Sequence, residues 1–215
     1  MEPFIARTNA SPDWRGHGLL CAERMTVTVK KPATYEDLRA LPETRVGELI
    51  AGELIASPRP ASRHALVTSA LGGELSGPFQ RGRGGPGGWW IVDEPELHLG
   101  SDVLVPDMVG WRRARMPVYP DAPFFTLPPD WLCEVLSPST AGFDRVKKMP
   151  VYLREQVGHV WLIDPLARTL EVFRREGDRW VLANNFAGDQ RVRAEPFEAL
   201  ELELEALWPP SNEAP

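Results

Sequence analysis

The sequence predicts a mixed α/β or α+β protein, a sheet with helices packed on it. Three observations predict it. Short apolar runs with period two are numerous, so strands dominate. Only two stretches carry the three- and four-residue apolar spacing of a substantial helix. The order is hairpin, helix, strands, helix, strand, strands, which suits helices laid against one sheet. No repeat at a solenoid period is present.

Residues 1–30 show no sustained period, with Pro, Gly, Asn and Ser scattered through them, and read as a loosely ordered extension. A single domain is expected over 31–208, with a short tail over 209–215. Met25 precedes the first well-patterned stretch and is a candidate native start. Thr34 is placed to cap a short helix through Leu41, with Glu36 and Asp37 in its first turn. VGELI and ELIAS alternate and are separated by Ala51-Gly52, which predicts a hairpin. From Ser62 to Leu75 the pattern is helical, with Leu66, Ala70, Leu71 and Leu75 as its apolar stripe. RGRGGPGG (81–88) must end that helix and form a flexible loop.

WWIVDEPELHL and VLVPDMVGW each read as a strand. Pro106 confines the second to an edge, a strand end or a bulge. Asp121 to Asp130 is a proline-rich connection. WLCEVLS is a buried strand stopped by Pro138, and a helix lies within Phe143–Gln156. HVWLIDP is another strand. TLEVFRR and RWVLANN flank Glu176-Gly177-Asp178 as a second hairpin. LELEL near the C-terminus alternates with period two and reads as a strand.

The 215 residues are 43% hydrophobic, enough for a core and too apolar for a disordered chain. No apolar run approaches the ~20 residues of a membrane helix. Cys21 and Cys133 cannot make a disulfide framework, the N-terminus lacks the order of a signal peptide, and a reducing cytoplasm is expected. The net charge is -6, against a general nucleic-acid coat. Its placement matters more than its sum. Six of the 30 acids lie between Ala194 and Pro215, where no Lys or Arg occurs, leaving 24 acids against 24 bases elsewhere. Arginines cluster at Arg59, Arg63, Arg81 and Arg83, then at Arg112, Arg113 and Arg115. Either cluster alone is ordinary solvated surface, whereas together they could line one binding face.

The chemistry concentrates in three segments. Asp107 follows a proline that can open a strand and present a carboxylate at its margin. Glu134 lies inside an apolar strand, where a carboxylate is costly unless paired or bound to a metal. Brought together on neighbouring strands, the two would raise one carboxyl pKa unless a cation neutralised them, and Mg²⁺ suits a few carboxylate oxygens with water and phosphate. Only four of the 24 basic residues are Lys (Lys30, Lys31, Lys147 and Lys148), so Lys148 in the helix after Glu134 is conspicuous. The structural alternatives are a core ion pair of Glu134 with Arg145 or Lys148, a turn role for Asp107, and a solvated helix face for Lys148. A P-loop is excluded because GRGGPGG lacks the Lys-Ser/Thr and leads into no helix, and no Cys/His spacing suggests zinc. Ser137 has no evident His and acid partners.

The order VPD, EVLSPST, an Asp-x-x-x-Lys-x-x-x-Tyr helix (Asp144, Lys148, Tyr152) and GHVWLIDP resembles the Uma-type restriction endonuclease family of the PD-(D/E)XK nuclease superfamily. The resemblance runs from about Tyr35 to Trp208 and includes Gly52-Glu53-Leu54, His64 and LELELEALW. It implies a restriction-endonuclease-like core, a central mixed sheet flanked by helices with the site at one sheet edge, here with an N-terminal hairpin and extra C-terminal strands. It implies DNA as substrate and phosphodiester hydrolysis by Mg²⁺-bound water, with Mn²⁺ as a possible substitute. Asp107, Glu134 and the Val135 carbonyl would hold the metal, with Glu53 as a further acidic ligand. The superfamily's usual lysine lies two positions after the second acid, which is Leu136 here, so the resemblance moves that role to Lys148. Lys148 would orient or deprotonate the water. His64 caps or packs the helix start, or contacts phosphate, and, apart from the resemblance, Arg81 and Arg83 in the Gly-rich loop are candidates for a phosphate-contacting arm. Pro150 conflicts with a continuous helix through Lys148, so the helix is expected to start no earlier than Lys147, with Lys148 in its first turn and its pKa depressed. Two-strand cleavage favours a homodimer or higher homo-oligomer. A binding or assembly protein that keeps the fold, and a hydrolase of a smaller phosphodiester, are the alternatives.

Overall fold

A computed structural model describes residues 31–209. Thr34 caps helix α1 (Tyr35–Arg39) through a capping box with Asp37, and the helix is shorter than the stretch to Leu41. Strands β1 (Arg45–Ile50) and β2 (Glu53–Pro58) form the expected hairpin. Its two turn residues, Ala51 and Gly52, have φ of 51° and 78°, the left-handed pair that matches strand twist. The Asp102 carboxylate accepts the Ala51 N–H at 2.7 Å and holds the non-glycine member in place.

Helix α2 (Ser62–Leu75) buries Val67, Leu71 and Leu75 at four-residue steps. Leu71 and Leu75 are buried as expected and Ala70 packs against them, but Val67 takes the place expected for Leu66, which is exposed. The helix runs into a wide π-helical turn (Ser76–Gln80) and then the Gly-rich loop. That loop is tied down: Arg83 N–H donates to the Gly77 carbonyl and Gly87 N–H to that of Pro78. A Cβ on Gly85 would meet Pro78 at 2.4 Å, so only glycine permits this approach.

Both long apolar runs break at their prolines. WWIVDEPELHL becomes β3 (Trp89–Asp93) and β4 (Leu97–Leu99). VLVPDMVGW becomes β5 (Asp102–Leu104) and β6 (Met108–Arg112). The pieces belong to different sheets. β2-β1-β5-β4 form one antiparallel sheet. The larger sheet has the order β10-β9-β8-β7-β6-β3, from β7 (Trp131–Val135), β8 (His159–Asp164), β9 (Thr169–Glu176) and β10 (Arg179–Ala187). Only β7 and β8 pair in parallel, so the sheet is mixed as expected. β9 and β10 form the second hairpin, turning at Gly177-Asp178.

Helices α3 (Ala141–Phe143) and α4 (Met149–Arg154) are joined without a break by a π-helical turn (Asp144–Lys148). This overturns the expected start at Lys147. The Met149 N–H reaches back five residues to the Asp144 carbonyl, so the wide turn sits where Pro150 would disrupt regular α-helical bonding. Near the C-terminus Leu202, Leu204 and Leu207 are buried while Glu201, Glu203 and Glu205 are exposed. The alternation is real, yet only β12 (Leu202–Glu203) is strand, paired with β11 (Arg191–Val192), and a 3-10 turn (Leu204–Leu207) follows.

The larger sheet has a core on each face. One joins α2, Trp89, Trp131, Trp161 and the C-terminal Phe197, Leu204 and Leu207. The other joins Leu132, Trp111, Val160 and Leu162 with α4 and with Ile50, Leu97 and Leu104 of the smaller sheet. Along β7, Trp131, Cys133 and Val135 feed the first core. The alternation of a strand therefore turns Glu134 to the second side, toward α4 and the smaller sheet. Among the described residues no helix is long and apolar enough to cross a membrane. The expected N-terminal extension with Met25 and Cys21, and most of the tail, lie outside the described residues.

Candidate active site at the seam of two sheets

Asp107 stands where the chain leaves β5 for β6, at Val105-Pro106. Met108 pairs with Cys133, so Asp107 falls beside Glu134 at the end of the β6–β7 ladder. These are interior strands, so the cluster lies at strand ends in mid-sheet rather than on an edge strand. Asp107 Oδ2 accepts the Val135 N–H at 2.6 Å and faces His64 Nε2 at 3.0 Å. Oδ1 has no hydrogen-bond partner among the described residues.

Glu134 is buried, and both of its oxygens lie 3.3 Å from Lys148 Nζ. The Tyr152 hydroxyl, one turn further along the helix, donates to Glu134 Oε1. The Lys148 ammonium also meets Glu48 Oε1 at 3.0 Å and Asp144 Oδ1 at 3.5 Å. Glu48 accepts the Val105 N–H at 2.9 Å, which fixes it against the crossover strand. Glu48, His64, Asp107, Glu134, Asp144 and Lys148 line one cavity of about 220 Å³.

The electrostatics follow from burial. Burial alone would lower the Lys148 pKa, but Glu134, Glu48, Asp144 and Asp107 outweigh it and hold the ammonium well above the usual lysine range. The expected depression is thus reversed, because Lys148 sits mid-helix among carboxylates rather than at a positive helix end. Burial raises Glu134 well above the ordinary carboxyl value; Lys148 opposes this, and Asp144, Asp107 and Glu48 add to it. Burial likewise raises Asp144. His64 is raised although burial opposes it, because Asp107 bonds and attracts the imidazolium; its Nδ1 is buried without a hydrogen-bond partner among the described residues. Glu48, Glu94, Asp107, Glu134 and Asp144 therefore share the cavity with Lys148, His64 and the exposed Arg59. Cys133 is a free thiol, pushed well up by burial and unsuited to nucleophilic work.

The structure brings Asp107, Glu134, Val135, His64 and Lys148 together at this cavity. Glu53 is not there. It is exposed near the hairpin tip and pairs with Lys147 at 3.4 Å. Glu48, from the first copy of the Gly-Glu-Leu triplet, takes the buried place instead. Arg145, an alternative partner for Glu134, pairs with Glu171. Arg81 and Arg83 do not line the cavity. Among the described residues no three acid, His or Cys side chains close around a single point as a formed metal site. The donors nonetheless fit a hard divalent cation: carboxylate oxygens, one of them without a hydrogen bond, carry a negative surplus in a confined space.

A central mixed sheet flanked by helices, with acids at two adjacent strand ends and a lysine from the next helix, defines a restriction-endonuclease-like core. The model of the Uma2 family, described as "Putative restriction endonuclease", matches residues 32–206, and the chain belongs to that family. Among solved structures it is similar to a "putative nuclease belonging to DUF820" from Anabaena variabilis, at 26% identity and a TM-score of 0.63, covering 82% of this chain and 98% of the other. No curated protein matches the chain.

Proposed function

We propose that the protein is an endonuclease that hydrolyses DNA phosphodiesters with Mg²⁺, or Mn²⁺ in its place. The observation that supports this best is the charge cluster: Glu48, Glu134 and Asp144 contact one buried ammonium, and Asp107 and Glu94 line the same cavity. Asp107, Glu134 and the Val135 carbonyl would hold the ion, with Glu48 as a further carboxylate. Bound there, a divalent ion lowers the pKa of water and stabilises charge on a phosphate oxygen. The surrounding carboxylates favour the Lys148 ammonium, which is placed to orient water through its N–H groups and to balance negative charge on the phosphate. His64 bonds Asp107 and holds that carboxylate in place. Tyr152 does the same for Glu134.

The cavity of about 220 Å³ has room for a phosphoryl group with a few waters. The buried free thiol of Cys133 suits a reducing cytoplasm. Two-fold pairing of the chain would serve two-strand cleavage.

Plasmid cleavage with Mg²⁺ or Mn²⁺ tests the reading, comparing the natural chain with Asp107→Ala, Glu134→Ala and Lys148→Ala. Loss in all three variants is expected. Equal residual cleavage in all four proteins would mark contamination and end the assignment. Metal binding without cleavage would move the substrate to a smaller phosphodiester, and no metal binding would favour an assembly protein.

A further inference from the structure

The loop that carries Arg81 and Arg83 and the strand end that carries Arg112 and Arg113, distant in sequence, meet in the fold. Arg113 N–H donates to the Gly88 carbonyl at 2.8 Å. Its guanidinium donates to the carbonyls of Gln80 at 2.8 Å and Trp89 at 3.2 Å. Arg113 thereby braces the Gly-rich loop, which carries Arg81 and Arg83, against the end of β6, which carries Arg112. Arg113 lies 3.9 Å over the Trp90 ring and Arg112 lies 4.5 Å over Trp89, so both planar cations are oriented by aromatic faces.

Arg59, Arg115, Arg145, Arg154, Arg168, Arg174, Arg179, Arg191 and Arg193 contact carboxylates. The exposed guanidiniums of Arg81, Arg83 and Arg112, like those of Arg39, Arg45 and Arg63, have no ion-pair partner among the described residues; what sets the first three apart is that one braced loop and the strand end it rests on carry them. The loop beneath them is already ordered, by the Gly77 and Pro78 carbonyls and by the close approach of Gly85. An anion would meet Arg112, already held over Trp89, beside Arg81 and Arg83 on an ordered loop backbone.

We infer that Arg81, Arg83 and Arg112, braced by Arg113, form a docking face for a nucleic-acid phosphate backbone, separate from the cavity. Asp107 and Arg112 are at opposite ends of β6, five residues apart and roughly 17 Å at strand rise. At about 3.4 Å per nucleotide of one strand, the docked phosphates lie about five positions from the bond in the cavity. The inference rests on the nuclease reading for the substrate's identity, while its own test concerns binding alone.

The test is anisotropy titration of a labelled duplex of ~20 base pairs with the full chain in EDTA, repeated across salt concentrations. Each phosphate contact contributes about 0.9 to the slope of log K against log salt. The Arg81→Ala/Arg83→Ala/Arg112→Ala variant should lower the slope by about 2.7, so that from about 50 to 200 mM salt the natural chain loses roughly 40-fold more affinity than the variant. Lysine at the same three positions should restore the slope. Arg168→Ala and Arg191→Ala, which remove paired arginines, should leave it unchanged. An unchanged slope in the triple alanine variant overturns the inference, as does failure of the natural chain to bind the duplex. Polyglutamate competing as well as DNA at equal charge also overturns it, in favour of an acidic protein partner. Failure of the nuclease reading is a different result: no Mg²⁺-dependent cleavage by the natural chain, with the salt slope and its loss in the variant intact.

Discussion

Replacing Lys148 with Met keeps most of the apolar stem and deletes the cation. In the natural chain Nζ lies 3.0 Å from Glu48, 3.3 Å from each Glu134 oxygen and 3.5 Å from Asp144. At an effective dielectric of about 20, each carboxylate attracts it by roughly 5 kcal/mol, about 15 kcal/mol in all. Most of that is cancelled by desolvation of four ions and by repulsion among the acids. Removing one partner of a buried ion pair nevertheless costs about 3–5 kcal/mol, because the charge left behind stays buried. At about 2–4 °C per kcal/mol for a chain of this size, the Lys148→Met melting point should fall by about 6–20 °C. The loss should shrink at acid pH. Glu134 already stands above its unfolded value, and without Lys148 it rises further, so the folded variant gains protons as pH falls and its stability is lost as pH rises through that folded pKa. Added Mg²⁺ should raise the melting point of the variant more than that of the natural chain, since it meets uncompensated carboxylates. Calorimetry at two pH values, with and without Mg²⁺, measures all three effects. A melting point unchanged within about 2 °C, or one lowered equally at every pH, would refute the charge argument.

Two further outcomes separate the site from its surroundings. Glu48→Gln should abolish Mg²⁺-dependent cleavage as Glu134→Gln does, whereas Glu53→Gln should leave cleavage unchanged because its partner Lys147 is exposed; the plasmid assay reads both. Burial lowers the His159 pKa despite Glu195 at 3.4 Å. Its contribution to stability is therefore present above its unfolded pKa near 6.5 and lost as pH falls through the lower folded value. Melting points at pH 8 and pH 5 should differ less in His159→Gln than in the natural chain.

Local patterns made much of this fold legible. Ala51-Gly52 and Gly177-Asp178 announced their hairpins, WLCEV its buried strand, and Asp107, Glu134 and Lys148 their common neighbourhood. What stayed hidden depended on partners far along the chain. Pro106 signalled an interruption and Pro95 was passed over, and nothing local told that the strands on either side of each enter different sheets. VGELIAGELI offers the same triplet twice. Its two glutamates lie on the same face of the hairpin, since Ile50 pairs with Glu53 and Glu48 with Ile55. Depth separates them: Glu48 lies under α4 and β5, whereas Glu53 is one step nearer the tip. The π-helical turn escaped notice because Pro150 reads as a helix boundary, whereas the chain widens one turn and continues. That change of geometry also reversed the expected direction of the Lys148 pKa.

The ion cluster has a temporal meaning as well as a chemical one. Lys148 touches Glu48 from the first hairpin and Glu134 from the larger sheet, so the same ammonium fastens the two sheets and completes the cavity. The hairpin leaves the ribosome long before the helix that carries the lysine. A nascent chain therefore holds carboxylates with no cation among them, and a chain whose hairpin has come loose lacks one wall of the cavity. The cavity is therefore complete only while the hairpin and the lysine-bearing helix are docked together.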